Sequence, residues 1–168
     1  AWPSVKAFLR VCQHRGFFGE HLAVRSNLLS PAVSLTLACM FSLIGKTAVV
    51  TGAGSGIGQA IAIALARQGA FVDVLDVNDH TADETVEQIR STGGQAEGIK
   101  CDVSNHVQVQ ELFSKLGRDR GGLDCLINNA GIAHVGNITN TSEQDFDRVM
   151  SVNLKGVFNC LKGGVQQM

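Results

Sequence analysis

Eight residues, Thr51-Gly52-Ala53-Gly54-Ser55-Gly56-Ile57-Gly58, constrain the fold of this chain more than any others. They follow the apolar run Thr47-Ala48-Val49-Val50 and lead directly into Gln59-Ala60-Ile61-Ala62-Ile63-Ala64-Leu65-Ala66. That order reads as strand, glycine turn and helix. Glycine lets the backbone turn sharply and lets a phosphate come close where a Cβ would collide. The unpaired N–H groups and positive dipole end of the following helix then face that anion. The spacing T-G-x-x-x-G-x-G is a variant of the G-x-G-x-x-G device that holds the pyrophosphate of a dinucleotide.

From residue 46 onward, strand-like and helix-like segments alternate, the pattern of a parallel sheet with crossover helices. Strands are predicted at about 46–51, 71–76, 96–103 and 123–128, and helices at about 56–68, 81–92 and 107–116. Gly69 closes the first helix and Gly93-Gly94 stops the second. One long helix is expected from Ser142 towards Met168, with Ser142 as N-cap and Glu143 and Asp145 in its first turn. Phe146, Val149, Met150, Leu154, Val157, Phe158 and Leu161 form its apolar face. The fold class is therefore α/β, a Rossmann-type doubly wound parallel sheet. Four strands alone would leave the fourth partly unpaired and the long helix's apolar face uncovered.

Asp76 stands at the predicted carboxyl end of the second strand, where a carboxylate can accept hydrogen bonds from a ribose hydroxyl. The same charge repels a 2′-phosphate, and the glycine turn, with Ser55 inside it, offers no lysine or arginine to neutralise one. NAD is therefore preferred over NADP as the cofactor.

The remaining features mostly narrow the field. A chain of 168 residues, 45% apolar, can bury one substantial core. A net charge of −1 gives no reason to propose a nucleic-acid surface. Cys12, Cys39, Cys101, Cys125 and Cys160 form no C-x-x-C pair, and no metal-ligand spacing appears among them or the five histidines. Scattered thiols suit a reducing compartment, so a cytoplasmic location is expected. His134 reads as a loop histidine, and Arg118-Asp119-Arg120 as a solvated helix end. Residues 1–39 carry Lys6, Arg10, Arg15 and Arg25 against Glu20. They read as an extension or upstream translated sequence outside the fold, with Met40 as the start, in preference to a targeting or anchoring segment. No membrane partner is expected, and the folded domain is assigned to residues 40–168.

With these residues in place, the chain resembles the short-chain dehydrogenase/reductase family over about residues 41–168. Four motifs carry the resemblance: Thr51–Gly58, Cys101-Asp102-Val103-Ser104, Asn128-Asn129-Ala130-Gly131 and Val152-Asn153-Leu154-Lys155-Gly156. The resemblance implies cofactor contacts at Gly52, Ser55, Gly56, Ile57, Gly58, Asp76, Asp102, Val103, Asn129, Ala130 and Gly131. In the family the aspartate at Asp102 contacts adenine, the Asn-Asn-Ala-Gly turn lines the nicotinamide-side ribose, and the asparagine at Asn153 holds a water in a proton relay. Simpler roles compete: Asp102 as a helix N-cap, Asn128 and Asn129 as turn formers, and Asn153 as a structural hydrogen bonder.

Family members transfer hydride between a nicotinamide and an alcohol or carbonyl carbon, and a tyrosine in a Tyr-x-x-x-Lys motif handles the proton. This sequence contains no tyrosine. The expectation is thus a partial domain lacking its carboxyl-terminal half and inactive alone. The substrate of the whole is expected to be sugar-like, a hydroxy acid or a 3-oxoacyl compound, and its assembly a homodimer or homotetramer. A non-catalytic dinucleotide-binding or regulatory protein is the alternative.

Overall fold

The computed structural model describes residues 42–168. β1 (Thr47–Thr51) leads through the glycine turn to α1 (Gly56–Arg67). β2 (Phe71–Asp76) leads to α2 (Asp79–Ser91), and β3 (Gln95–Lys100) to α3 (His106–Arg120). After β4 (Cys125–Ile127) come an irregular stretch, α4 (Glu143–Met150), a π-helical turn over Ser151–Gly156, α5 (Val157–Gly164) and a short 3-10 turn. All strand pairings are parallel, in the order β3-β2-β1-β4. The chain builds outward from β1 in one direction and then returns to its other side. In such sheets the crevice at that reversal, outside the carboxyl ends of the strands, is where ligands bind.

Side chains alternate along each strand and so divide the core into two layers. Ala48, Val50, Val72, Val74 and Ala96 meet Ala62 and Ala66 of α1 and Ala82, Val86 and Ile89 of α2. Val49 and Leu75 face the other way, against Val109, Phe113 and Leu116 of α3 and Cys160 of α5. Gly121, in the left-handed region at φ 75°, ends α3.

Several boundaries move from the sequence-based expectation. Asn78 caps α2 by accepting from the His80 N–H, so that helix starts earlier than 81. Asn105, not Asp102, caps α3, accepting from the Gln108 N–H, and α3 runs on to Arg120. Asp102 instead closes a tight turn, its Oδ1 accepting from the Ser104 N–H (2.9 Å) and hydroxyl (2.7 Å), which ends β3 early. β4 is only three residues long.

The single long helix is corrected most. Ser142 does cap α4, accepting from the Asp145 N–H, but a π turn then separates α4 from α5. Two contacts fix that wider turn: Asn153 on the backbone of Ile132, and Gly156 over Val103, where a Cβ would lie 2.7 Å from Val103 Cγ2. Beyond it, α5 packs by small residues. A Cβ at Gly163 would sit 3.0 Å from Phe113, and one at Gly164 2.7 Å from Leu126. Phe146, Met150, Leu154, Phe158 and Leu161 consequently face outward. Among the described residues no helix is long and apolar enough to cross a membrane. The expectations for residues 1–39 lie outside the described residues.

Candidate functional site

The glycine turn has a clamped half and an open half. In the clamped half, the Ala53 N–H donates to the Leu75 carbonyl (3.0 Å) and the Gly54 N–H to Asp76 Oδ2 (2.9 Å). The Ala53 and Gly54 carbonyls lie 3.0 and 3.3 Å from the hydroxyl of Thr85 on α2. Gly58 allows close packing beneath, since a Cβ there would fall 2.2 Å from the Gly52 carbonyl and 2.4 Å from Asn129 Nδ2. Gly56 differs: at φ 58° it is confined to glycine by conformation, yet a Cβ on it would meet nothing within 4 Å.

Ser55, Gly56 and Ile57 are exposed around that open space. Ser55, the N-cap of α1, makes no side-chain capping bond, and the first turn of α1 carries no acid. The N-terminal N–H groups and the positive dipole end therefore face outward without compensation, as an anion-binding arrangement requires.

Asp76 stands beside this opening at the end of β2. Each carboxylate oxygen accepts one backbone N–H, Oδ2 from Gly54 and Oδ1 from Asn78 (3.0 Å). Each keeps a lone pair for a further donor. The two bonds hold the carboxylate to the same turn whose far half is open. At the end of β3, Asp102 is exposed, whereas Val103 is 6% exposed and buried beneath Gly156.

The turn after β4 closes the other side of the crevice. Asn129 Nδ2 donates to the carbonyls of Thr51 (3.1 Å) and Gly52 (3.0 Å). The Thr51 hydroxyl accepts from the N–H groups of Asn129 and Ala130 (both 3.1 Å). Among the described residues no hydrogen-bond partner meets the buried Asn128 Oδ1. Ala130 approaches so closely that a Cβ on Gly52, at φ 62°, would lie 2.7 Å from its Cα. Asn153 pairs both ways with Ile132, its Oδ1 accepting from the N–H (2.8 Å) and its Nδ2 donating to the carbonyl (2.9 Å). A Cβ on Gly131 would be 3.4 Å from Asn153 Oδ1. The structure thus brings the glycine turn, Asp76, Asn129, Ala130, Gly131 and Asn153 around the carboxyl ends of β1, β2 and β4.

Sequence reasoning missed the roles of three polar side chains, Thr51 and Thr85 beneath the crevice and Arg120 against the body of the sheet. Thr51 and Thr85 are 1% and 0% exposed; a threonine facing an apolar interior signals a hydroxyl with a fixed partner, and that signal was available. Arg120 is the third and a correction, because it is no solvated helix end. It folds back onto Asp73 of β2 (2.7 Å) and Glu97 of β3, with its guanidinium 4.2 Å from the Phe71 ring centroid. Burial raises the Asp73 carboxyl above its ordinary value, against the pull of Arg120. Burial also pushes the Cys101 and Cys160 thiols up to about 11 and about 12, so neither is an activated nucleophile. Among the described residues no cluster of His, Cys, Asp and Glu is gathered for a metal ion.

A parallel sheet with a glycine turn at its reversal point and an acid ending β2 defines an α/β nucleotide-binding protein. Residues 46–168 match the short chain dehydrogenase family, and the chain belongs to that family of oxidoreductases. An uncharacterized oxidoreductase of Thermotoga maritima is 46% identical over 124 residues, which cover 74% of this chain and 49% of that protein. The structure of an NAD+-bound xylitol dehydrogenase aligns at a TM-score of 0.72 with 35% identity, over 75% of this chain and 49% of that one. A 7α-hydroxysteroid dehydrogenase complexed with NADH and 7-oxo glycochenodeoxycholic acid aligns at 0.71 with 34% identity, over 76% and 50%. The chain spans about half the length of these relatives.

Proposed function

We propose that residues 40–168 form the NAD(H)-binding part of an oxidoreductase acting on a small alcohol or carbonyl compound. The observation that carries this reading is the pairing of Asp76 with the open end of α1. One carboxylate, held by the Gly54 and Asn78 N–H groups, stands beside outward-facing helix N–H groups. A diphosphate fits the open space at Gly56, and a ribose diol fits Asp76. A 2′-phosphate would meet the Asp76 charge with no basic residue in the turn to offset it, which favours NAD over NADP.

When bound, the nicotinamide supplies or accepts the hydride. Gly52, Ser55, Gly56, Ile57 and Gly58 hold the diphosphate, while Asp102 and Val103 border the adenine side. Asn129 keeps the Asn-Asn-Ala-Gly turn against β1, so that Ala130 and Gly131 bound the nicotinamide side. Asn153, whose side chain is paired with the Ile132 backbone, serves as the proton-relay residue in this reading. The 168 residues contain no tyrosine to exchange the substrate proton, so they bind the dinucleotide without turning it over. The exposed apolar side of α4 and α5 supports a homodimer or homotetramer, and a cytoplasmic location accords with the free thiols.

The test is a fluorescence titration of the 168-residue chain with NADH and NADPH. NADH should bind more tightly by about tenfold or more, roughly the contribution of one charge-assisted hydrogen bond. Asp76→Ala should erase that difference; a preference unchanged by the substitution would refute the assignment.

A further inference from the structure

We infer that Thr85 on α2 is a positioning residue for the glycine turn: its buried hydroxyl fixes the Ala53–Gly54 segment so that the next N–H groups face the dinucleotide. The inference rests on the reading of this turn as the NAD(H) site.

Thr85 is 0% exposed, and its helix neighbours Ala82, Val86 and Ile89 pack into the apolar core. Valine has the same shape and needs no hydrogen-bond partner, so a hydroxyl at this position must be satisfied. Gln59 Nε2, from the first turn of α1, donates to the Thr85 oxygen at 3.0 Å. The hydroxyl has one proton to donate and three carbonyls in reach: Ala53 at 3.0 Å, Thr81 at 3.2 Å and Gly54 at 3.3 Å. A purely local role would use the Thr81 carbonyl one turn back in its own helix. The shortest distance is instead to the glycine turn.

The position of these contacts gives them their consequence. Ala53 and Gly54 lie just before the open stretch Ser55-Gly56-Ile57, and Gln59 lies just after it. One hydroxyl therefore ties α2 to both flanks of the segment that would receive the diphosphate. Leu75 and Asp76 hold the N–H groups of Ala53 and Gly54, while the one Thr85 proton meets their carbonyl side, at the shorter distance to Ala53. Without the hydroxyl, the carbonyl of the turn that it meets and the Gln59 amide both lose their partner, and the peptide planes of the turn are less constrained.

The experiment compares the unmodified chain with Thr85→Val and Thr85→Ser. NADH affinity is read by fluorescence, stability by urea unfolding, and amide exchange of Gly54–Ile57 without ligand. Valine keeps the core volume and loses the hydroxyl, whereas serine keeps the hydroxyl and loses a methyl, so both variants lose stability but only the loss of the hydroxyl should weaken binding. Thr85→Val should weaken NADH by about tenfold and speed exchange in the turn, while Thr85→Ser stays within about threefold despite lower stability. Equal NADH affinity in Thr85→Val, or losses that simply follow stability, would overturn the inference. If the unmodified chain binds no NADH, the cofactor reading fails; unchanged exchange in Thr85→Val would then overturn the clamp separately. Should Thr85→Val not fold, Gln59→Met removes only the donation from α1 and should weaken NADH by about threefold. Unaltered binding there counts against the inference.

Discussion

The region from β1 to the turn after β4 and the helical region from Ser142 onward both bury matched polar groups, Asn159 of α5 among them, but they differ in where their large apolar side chains lie. In the first, buried polar side chains are matched across the fold: Asp73 with Arg120, Thr51 with the turn after β4, and Thr85 with the glycine turn. In the second, α5 packs by Gly163, Gly164 and Cys160, and large apolar side chains remain outside. They border a groove of about 600 Å³ lined by Asp147, Met150, Ser151, Leu154, Lys155 and Phe158. The difference separates two tasks. The strands and the turns that follow them carry most of the candidate site, with Asn153 added from the π turn, whereas the outer side of α4 and α5 presents a surface suited to contact with further protein.

The polar matching of the first region is best broken at Arg120. Arg120→Met keeps the stem over Phe71 but leaves Asp73, fully buried, without its cation. Loss of one partner from a buried pair costs about 3 kcal/mol, which urea unfolding at neutral pH measures directly. The pH dependence carries a sign. Because burial already raises the folded-state value of Asp73, the native chain holds that proton more tightly than the unfolded chain. This group's contribution to stability is thus present at low pH and lost as pH rises through the raised folded value. Removing Arg120 raises that value further, so the penalty of Arg120→Met should shrink on acidification from about pH 7 to about pH 5.

A smaller loss is expected from Gly58→Ala. The new methyl would press on the Gly52 carbonyl and on Asn129 Nδ2, both parts of the junction between the two turns. Overpacking there should cost about 2 kcal/mol in urea unfolding and remove NADH binding. An alanine variant of unchanged stability would show that the turn is looser than its contacts imply, and the contrast between the regions would weaken.

What was legible in the sequence follows the range of the interactions. The glycine turn, β2 and the Ser142 cap depend on neighbours a few residues away, and they stand where turn chemistry and periodicity put them. The competing role of Asp102 as a helix cap falls to Asn105, which stands three residues later with equivalent chemistry. Arg120 looked like a solvated charge because Asp73 and Glu97 are 47 and 23 residues distant in the chain. The π turn was invisible for the same reason. It depends on Asn153 meeting Ile132, 21 residues earlier, and on Gly156 meeting Val103. In the candidate site, the residues facing the crevice carry recognisable motifs, and Thr51 stands inside one of them, while Thr85 behind the crevice looks like an ordinary member of a helix.

The smallest effect on folding is expected where the surface is most apolar. Phe158 is 58% exposed on α5, beside Leu154 at 61% and Leu161 at 46%. If that face is a true surface within the chain, Phe158→Glu removes little buried area and should change the urea midpoint by no more than about 0.5 kcal/mol. Its effect should appear in association, because a carboxylate at the centre of an apolar interface must be desolvated when two copies meet. Sedimentation velocity should then show less self-association than in the unmodified chain, with NADH affinity retained. A loss of about 2 kcal/mol in folding would place Phe158 in a core rather than on a surface. The helix would then be as self-contained as the sheet, and the division of tasks between the two regions would not hold.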